Sequence, residues 1–94
     1  MSKPLSDEII TLTSQVRHRA VGEDGVLVVL NTGRVIVVNE VGLYIVQLLD
    51  SPKARKDLVH AIALEFDVSL EQAETDLELF LTELSKEQVL QRLP

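Results

Sequence analysis

The chain has 94 residues, 46% of them hydrophobic, with no cysteine and a net charge of −6. This length predicts one domain around one core, and the absent thiols exclude disulfide frameworks, zinc ribbons and cysteine nucleophiles while fitting a reducing cytoplasm. The negative field repels nucleic-acid backbones, which proteins bind mainly by neutralising phosphates with Lys and Arg, and Tyr44, Phe66 and Phe80 are too few aromatics for a base-stacking platform.

Met1 to Glu8 carries acidic residues and a proline where a secretory signal needs a basic run and an apolar core. No apolar run approaches the roughly 20 residues needed to span a bilayer, so a soluble protein with no membrane partner is expected. Residues 1–14 follow neither the helical nor the strand period and are read as an arm packed in part on a domain spanning 15–94. Val16 to Val21 approximates the alternation of a half-buried strand, followed by the turn residues Gly22-Glu23-Asp24-Gly25.

Val26 to Leu30, the turn Asn31-Thr32-Gly33 and Arg34 to Val38 predict a hairpin. Both of its strands are continuously apolar, which predicts some cover on each face of the sheet. Asn39 is a ready N-cap, with Glu40 at the positive end of the helix that follows to Leu49. Val41, Ile45, Leu48 and Leu49 form the buried stripe of that helix, and Gly42 implies a close approach to a neighbour.

A second helix is predicted from near Pro52 or Ala54 to Phe66, with Leu58, Val59, Ala61, Ile62 and Phe66 on its apolar side. Ser69 and Gln72 read as a capping box opening a third helix from Leu70 to about Leu84 or Ser85. Leu70, Ala73, Leu77, Phe80, Leu81 and Leu84 make its stripe, Leu79 lies among polar neighbours, and Glu71, Glu74, Asp76, Glu78, Glu83 and Glu87 make it strongly acidic. Val89-Leu90 is a short apolar closing segment.

Three strands followed by three helices give an α+β fold, a winged-helix-like domain with a three-stranded antiparallel sheet ahead of its helices. Nothing in the chain reads as catalytic. Ser6, Ser14, Ser51, Ser69 and Ser85 lack a nucleophile elbow, the carboxylates follow helical surface spacing, and the four scattered glycines cradle no phosphate. His18 and His60 lie far apart with no metal-binding companion, so neither a metal nor a cofactor is expected.

Val38-Asn39 followed by Gly42, Ile45, Leu48, Leu49 and Asp50 resembles the "LN…G..I..LLD" signature of PqqD-like proteins. These are the precursor recognition elements of pathways that make ribosomal, post-translationally modified peptides (RiPPs). The likeness continues through Asp57-Leu58-Val59 and Phe66-Asp67-Val68 to Asp76, Phe80-Leu81 and Leu84, which match the family's "D…FL..L" helix. It runs from about Val16 to Leu90, with departures at Ser51, Val46 and Gln88.

The resemblance implies that the leader segment of a precursor peptide adds as a strand along Arg34, Val35, Ile36, Val37 and Val38, facing a groove walled by Leu77, Leu81 and Leu84 of the third helix. It also implies a maturation enzyme as second partner, a radical-SAM protein or a leader peptidase. The carboxylates of Asp76 and Glu83 would favour basic leader residues. By default such an edge is protected by residues 1–14 or by pairing into an edge-strand homodimer. The rival functions are a winged-helix DNA-binding regulator, for which the acidic third helix is ill-suited, and a structural adaptor for a folded partner.

Overall fold

The computed structural model describes residues 8–93. The chain forms β1 (Ile9–Leu12), β2 (Val16–Val21), β3 (Asp24–Val29), β4 (Arg34–Val38), α1 (Glu40–Leu48), β5 (Lys53–Ala54), α2 (Arg55–Phe66), α3 (Leu70–Ser85) and β6 (Leu90–Leu93). The architecture is α+β, with an antiparallel β2-β3-β4 sheet leading into three helices, as the sequence predicts. A second small sheet in the order β5-β1-β6 is added to it.

The turns explain the main sheet. β2 and β3 are closed by Gly22-Glu23, with Val21 opposite Asp24 and Gly22 at φ +63°. A two-residue hairpin loop needs a positive φ of this kind, which glycine adopts without a side-chain penalty. β3 and β4 are joined through Leu30 to Gly33, where Gly33 takes φ +75° and its N–H donates to the Val29 carbonyl at 2.7 Å. Asn39 then turns the chain out of β4: its Oδ1 accepts from the Gly42 N–H at 2.9 Å, satisfying an otherwise free amide of the first turn of α1.

α1 is the central element because it is buried on two sides. Ile45 and Leu49 join Ile10, Leu58, Ile62 and Leu77 in a core between the helices. Leu43 and Val46 join Leu27, Val38, Leu84 and Val89 in a second core beneath the sheet. The single stripe read from Val41, Ile45, Leu48 and Leu49 is therefore too narrow: Leu43 and Val46 are buried, whereas Val41 and Leu48 are half-buried. Ser69 caps α3 through a 3.0 Å bond from the Gln72 N–H, but the Gln72 side chain bonds Asp76, so only one arm of the expected capping box forms.

The first described residues depart most from expectation. Ile9–Leu12, within the stretch read as an arm, is a strand paired with β6 from Ile9↔Leu93 to Leu12↔Leu90 and with β5 at Ile9↔Ala54. Residues 1–7, the rest of that stretch, lie outside the described residues. The Arg55 guanidinium, nearly buried, bonds Glu78 at 2.7 Å and lies 3.6 Å from Glu8, and Arg92 of β6 lies 3.6 Å from Glu8. Opposite charges thus fasten β1 and β6 to α2 and α3.

The second correction concerns the sheet's outer face. Val35 and Val37 are 62% and 73% exposed, and no described residue covers them as the apolar run predicts. Their β-branched side chains favour extended backbone whether or not they are buried.

Ile10→Ala measures how firmly β1 belongs to the fold. Deleting a fully buried Ile is expected to cost about 2–5 kcal/mol, read as a lower urea midpoint at unchanged slope. A residue on a loosely attached arm would shift it by less than about 0.5 kcal/mol.

Candidate functional site

The phase of the hydrogen-bond ladder decides which backbone groups are free. The Leu30 N–H donates to the Gln15 carbonyl at 2.8 Å, in register with Val16↔Val29. In an antiparallel ladder, residues alternate in the side to which both N–H and C=O point. Val28 and Val26 therefore face β2, and Val29, Leu27 and Gly25 face β4. Their partners Arg34, Ile36 and Val38 spend their backbone groups on β3. Val35 and Val37 direct one N–H and one C=O each outward from the sheet.

The sheet has two edges, and they differ in kind. β2 carries Arg17, His18 and Arg19, cationic or polar side chains of the sort that blunt an edge. β4 carries Val35, Ile36, Val37 and Val38 with a single charge, Arg34, at its start. The open aliphatic edge is β4.

Beside this edge lies a groove against α3. Ile36, Val37, Val38, Phe80, Leu84 and Glu87 line a hollow of about 270 Å³. Across Asn39, Phe80 and Glu83 it adjoins a second of about 310 Å³, lined further by Val41, Gly42, Asp76 and Leu79. Gly42 makes the close approach foreseen for it: a Cβ there would stand 2.8 Å from the Phe80 ring and 3.0 Å from Val38 Cβ. The missing side chain lets Phe80 lie against α1 and divide the hollows.

The structure brings most of the expected site residues together and separates two. Ile36, Val37, Val38, Glu83 and Leu84 line the first hollow, Asp76 and Glu83 the second, and Arg34 and Val35 complete the edge. Leu77 and Leu81 are fully buried in the core between the helices and cannot wall a groove, because their positions on α3 point at α1 and α2. Asn39, Leu79, Phe80 and Glu87 were missed. For the three on the helical side the signal is a second stripe, 76-80-83-87, which runs along α3 into the turn after it, flanks the buried stripe and gains apolar surface from the exposed Leu79. Asn39 reads from sequence only as the cap of α1.

The charges are organised along the groove. Arg34 Nε and Nη2 bond the two Glu87 carboxylate oxygens at 2.8 and 3.1 Å, across one end. At the other end Asp76 accepts from Gln72 at 2.9 Å, and exposed Glu83 lies 3.3 Å from Lys86. His18 is taken up by Asp50 at 2.8 Å and His60 by the Lys56 carbonyl at 2.8 Å. Among the described residues no group of His, Cys, Asp and Glu is arranged to hold a metal, and no helix is long and apolar enough to cross a membrane.

These features define a class: a small α+β domain whose described residues leave one aliphatic sheet edge open beside an acidic helical groove. Residues 24–90 match the model of coenzyme PQQ synthesis protein D, and the chain belongs to the PqqD family. A solved structure of TbiB1 in complex with the TbiA(beta) leader peptide is 30% identical at a TM-score of 0.77, covering 86% of this chain and 94% of that one. The PqqD truncation of Methylobacterium extorquens PqqCD, described as a functional and stand-alone RiPP recognition element, shares the fold at 19% identity and a TM-score of 0.73, with 88% of each chain covered. No curated protein matches.

Amide hydrogen exchange checks the ladder phase. Val35 and Val37 are expected to exchange at the rate of open loop amides, and Ile36 orders of magnitude more slowly because its N–H is spent on Leu27. Equal protection at the three positions would contradict the register.

Proposed function

We propose that this protein is a non-catalytic recognition domain that captures the leader of a ribosomally made precursor peptide as an added strand on β4 and holds the peptide for a modifying enzyme. The observation that carries this reading is the open pair of backbone groups at Val35 and Val37 beside an apolar groove. The TbiB1 leader complex, at 30% identity over most of both chains, supports the ligand class.

Magnitudes divide the labour between edge and groove. Bonds to the free groups of Val35 and Val37 are each worth a net ~0.5–1.5 kcal/mol, a sum on the order of millimolar affinity. Useful binding therefore needs side chains placed in the groove, at about 1.5–3 kcal/mol for each large apolar group fully buried. Strand geometry supplies them, since every second side chain of an added strand points to the Ile36 and Val38 face. Asp76 and Glu83 favour Lys or Arg in the leader, acting more on encounter rate and register than on affinity.

Held in this way, the rest of a flexible precursor is kept at high local concentration near an enzyme's active site, without contact between this domain and the reacting residues. The partner enzyme is a radical-SAM protein or a leader peptidase, and the setting is the cytoplasm. A β4-to-β4 homodimer uses the same amides and competes with the leader. Duplex DNA binding is disfavoured by the exposed face of α3, where Glu71, Glu74, Glu78 and Glu83 stand in place of base- and phosphate-reading cations.

Binding of the leader encoded by a short neighbouring reading frame tests the proposal. The leader is expected to shift the Val35 and Val37 amide resonances. Val37→Pro should weaken it at least about tenfold with the cooperative unfolding transition retained, since proline is tolerated where an edge N–H faces outward. A leader N-methylated at alternate positions gives the matching test on the unaltered protein. Affinity unchanged in both experiments would refute strand addition. A second expected outcome concerns Asp76→Lys with Glu83→Lys: this variant should weaken a basic leader more than a neutral one, and increasing salt should erase the difference.

A further inference from the structure

The bond between Arg34 and Glu87 is more than a fastening between hairpin and helix. Arg34 sits opposite Val29, so its side chain shares the groove face with Ile36 and Val38. Its Nε and Nη2 occupy both oxygens of Glu87, whose side chain is 18% exposed, whereas the Arg34 side chain is 64% exposed. A guanidinium carries five N–H donors in a fixed plane. Two are spent on Glu87, and those of Nη1 with the second of Nη2 form a free bidentate edge. Glu87 thereby orients a cation within a groove otherwise rimmed by carboxylates.

We propose that Arg34, held in place by Glu87, reads an acidic side chain of the captured peptide and so sets its register and direction; this rests on strand capture at β4. A strand added to β4 places one residue directly across from Arg34 with its side chain on the same face, at the ~5 Å separation where opposite charges attract and like charges repel. A carboxylate there meets the free guanidinium edge in the bidentate geometry that arginine favours. A Lys at that position meets a like charge whose counter-ion is already committed.

Spacing extends the inference to the peptide's sequence. From Arg34 to Val38 the strand advances about 13 Å at ~3.3 Å per residue, which reaches the hollow rimmed by Asp76 and Glu83. The three groove-facing positions of β4 are Arg34, Ile36 and Val38. The matching peptide carries an acidic residue, an apolar residue two positions away and a basic residue two positions beyond that. One end of the groove presents the spare guanidinium donors of the Arg34–Glu87 pair and the other presents carboxylates, so a peptide with this pattern fits in one direction only.

Selection from a phage-displayed library of random twelve-residue peptides tests the assignment, with binders kept only if they shift the Val35 and Val37 amides. Wild-type protein is expected to enrich Asp or Glu about four positions from Lys or Arg. Exchanging the acidic residue of a selected synthetic peptide for Lys should weaken it at least about tenfold. The swap Arg34→Glu with Glu87→Arg keeps an ion pair at this place and should invert the preference to Lys while leaving the basic position unchanged. The peptide series on unaltered protein needs no variant to fold. Edge binders with no acidic preference, or a preference that survives the swap, overturn the role of Arg34. If no peptide shifts the edge amides, strand capture itself falls and this inference with it.

Discussion

The alternation of the β3 ladder is the constraint on which the site depends. β3 is shared between two neighbours and commits its backbone groups to them in turn, so the choice made at Leu30, whose N–H bonds Gln15, is transmitted to β4. Among the described residues Val35 and Val37 keep unpartnered outward backbone groups because those of Ile36 are spent on Leu27, and the same alternation turns the Ile36 side chain toward α3. In the proposed strand capture, backbone bonding and side-chain recognition therefore fall on neighbouring residues of one strand. A one-residue slip in register would reverse both together, exposing Ile36 and committing the amides of Val35 and Val37.

What keeps this edge open is the chain's exit from it. β4 ends at Val38, Asn39 caps α1, and α1 runs beneath the sheet into the two cores instead of alongside β4. Gly42, one turn into the helix, admits the Phe80 ring, which draws α3 close enough to form the opposite wall. The Asn39 junction, the Gly42 gap and Phe80 form one mechanical unit. Each is a packing feature, yet their joint result is the groove between β4 and α3.

Much of this organisation was legible in the sequence, and its limits have physical causes. The hairpin, the Asn39 cap and the Ser69 cap depend on contacts within a few residues, which local patterns record. The pairing of β1 with β6 joins opposite ends of the chain, and four residues of weak alternation around Ile10 carry too little periodic signal to reveal it. Periodicity showed that Leu77 and Leu81 belong to an apolar stripe, but not which neighbour the stripe faces; α1 and α2 claim it, leaving the flank through Phe80 and Glu83 for the groove. The valine run was misread for a different reason, because β-branched residues serve extended backbone as well as burial.

An open aliphatic edge is a hazard, since any extended chain can pair with it. β2, with Arg17, His18 and Arg19, shows how this fold blunts an edge when nothing is to bind there. Under the proposed strand capture, the same device on β4 would place charge beside Val35 and Val37 and block a leader as effectively as a misplaced strand. Selectivity has to come from the groove instead, through the width set by Gly42 and Phe80 and the charges at its two ends. Antiparallel pairing of two copies about Ile36 would set Val35 opposite Val37 and carry the Arg34 of each copy to the Val38 end of the other. The Asp76 and Glu83 carboxylates therefore admit a second copy as well as a basic leader. What weighs against self-pairing is the commitment of Arg34 to Glu87 within its own chain, together with the repulsion that a net charge of −6 adds between copies.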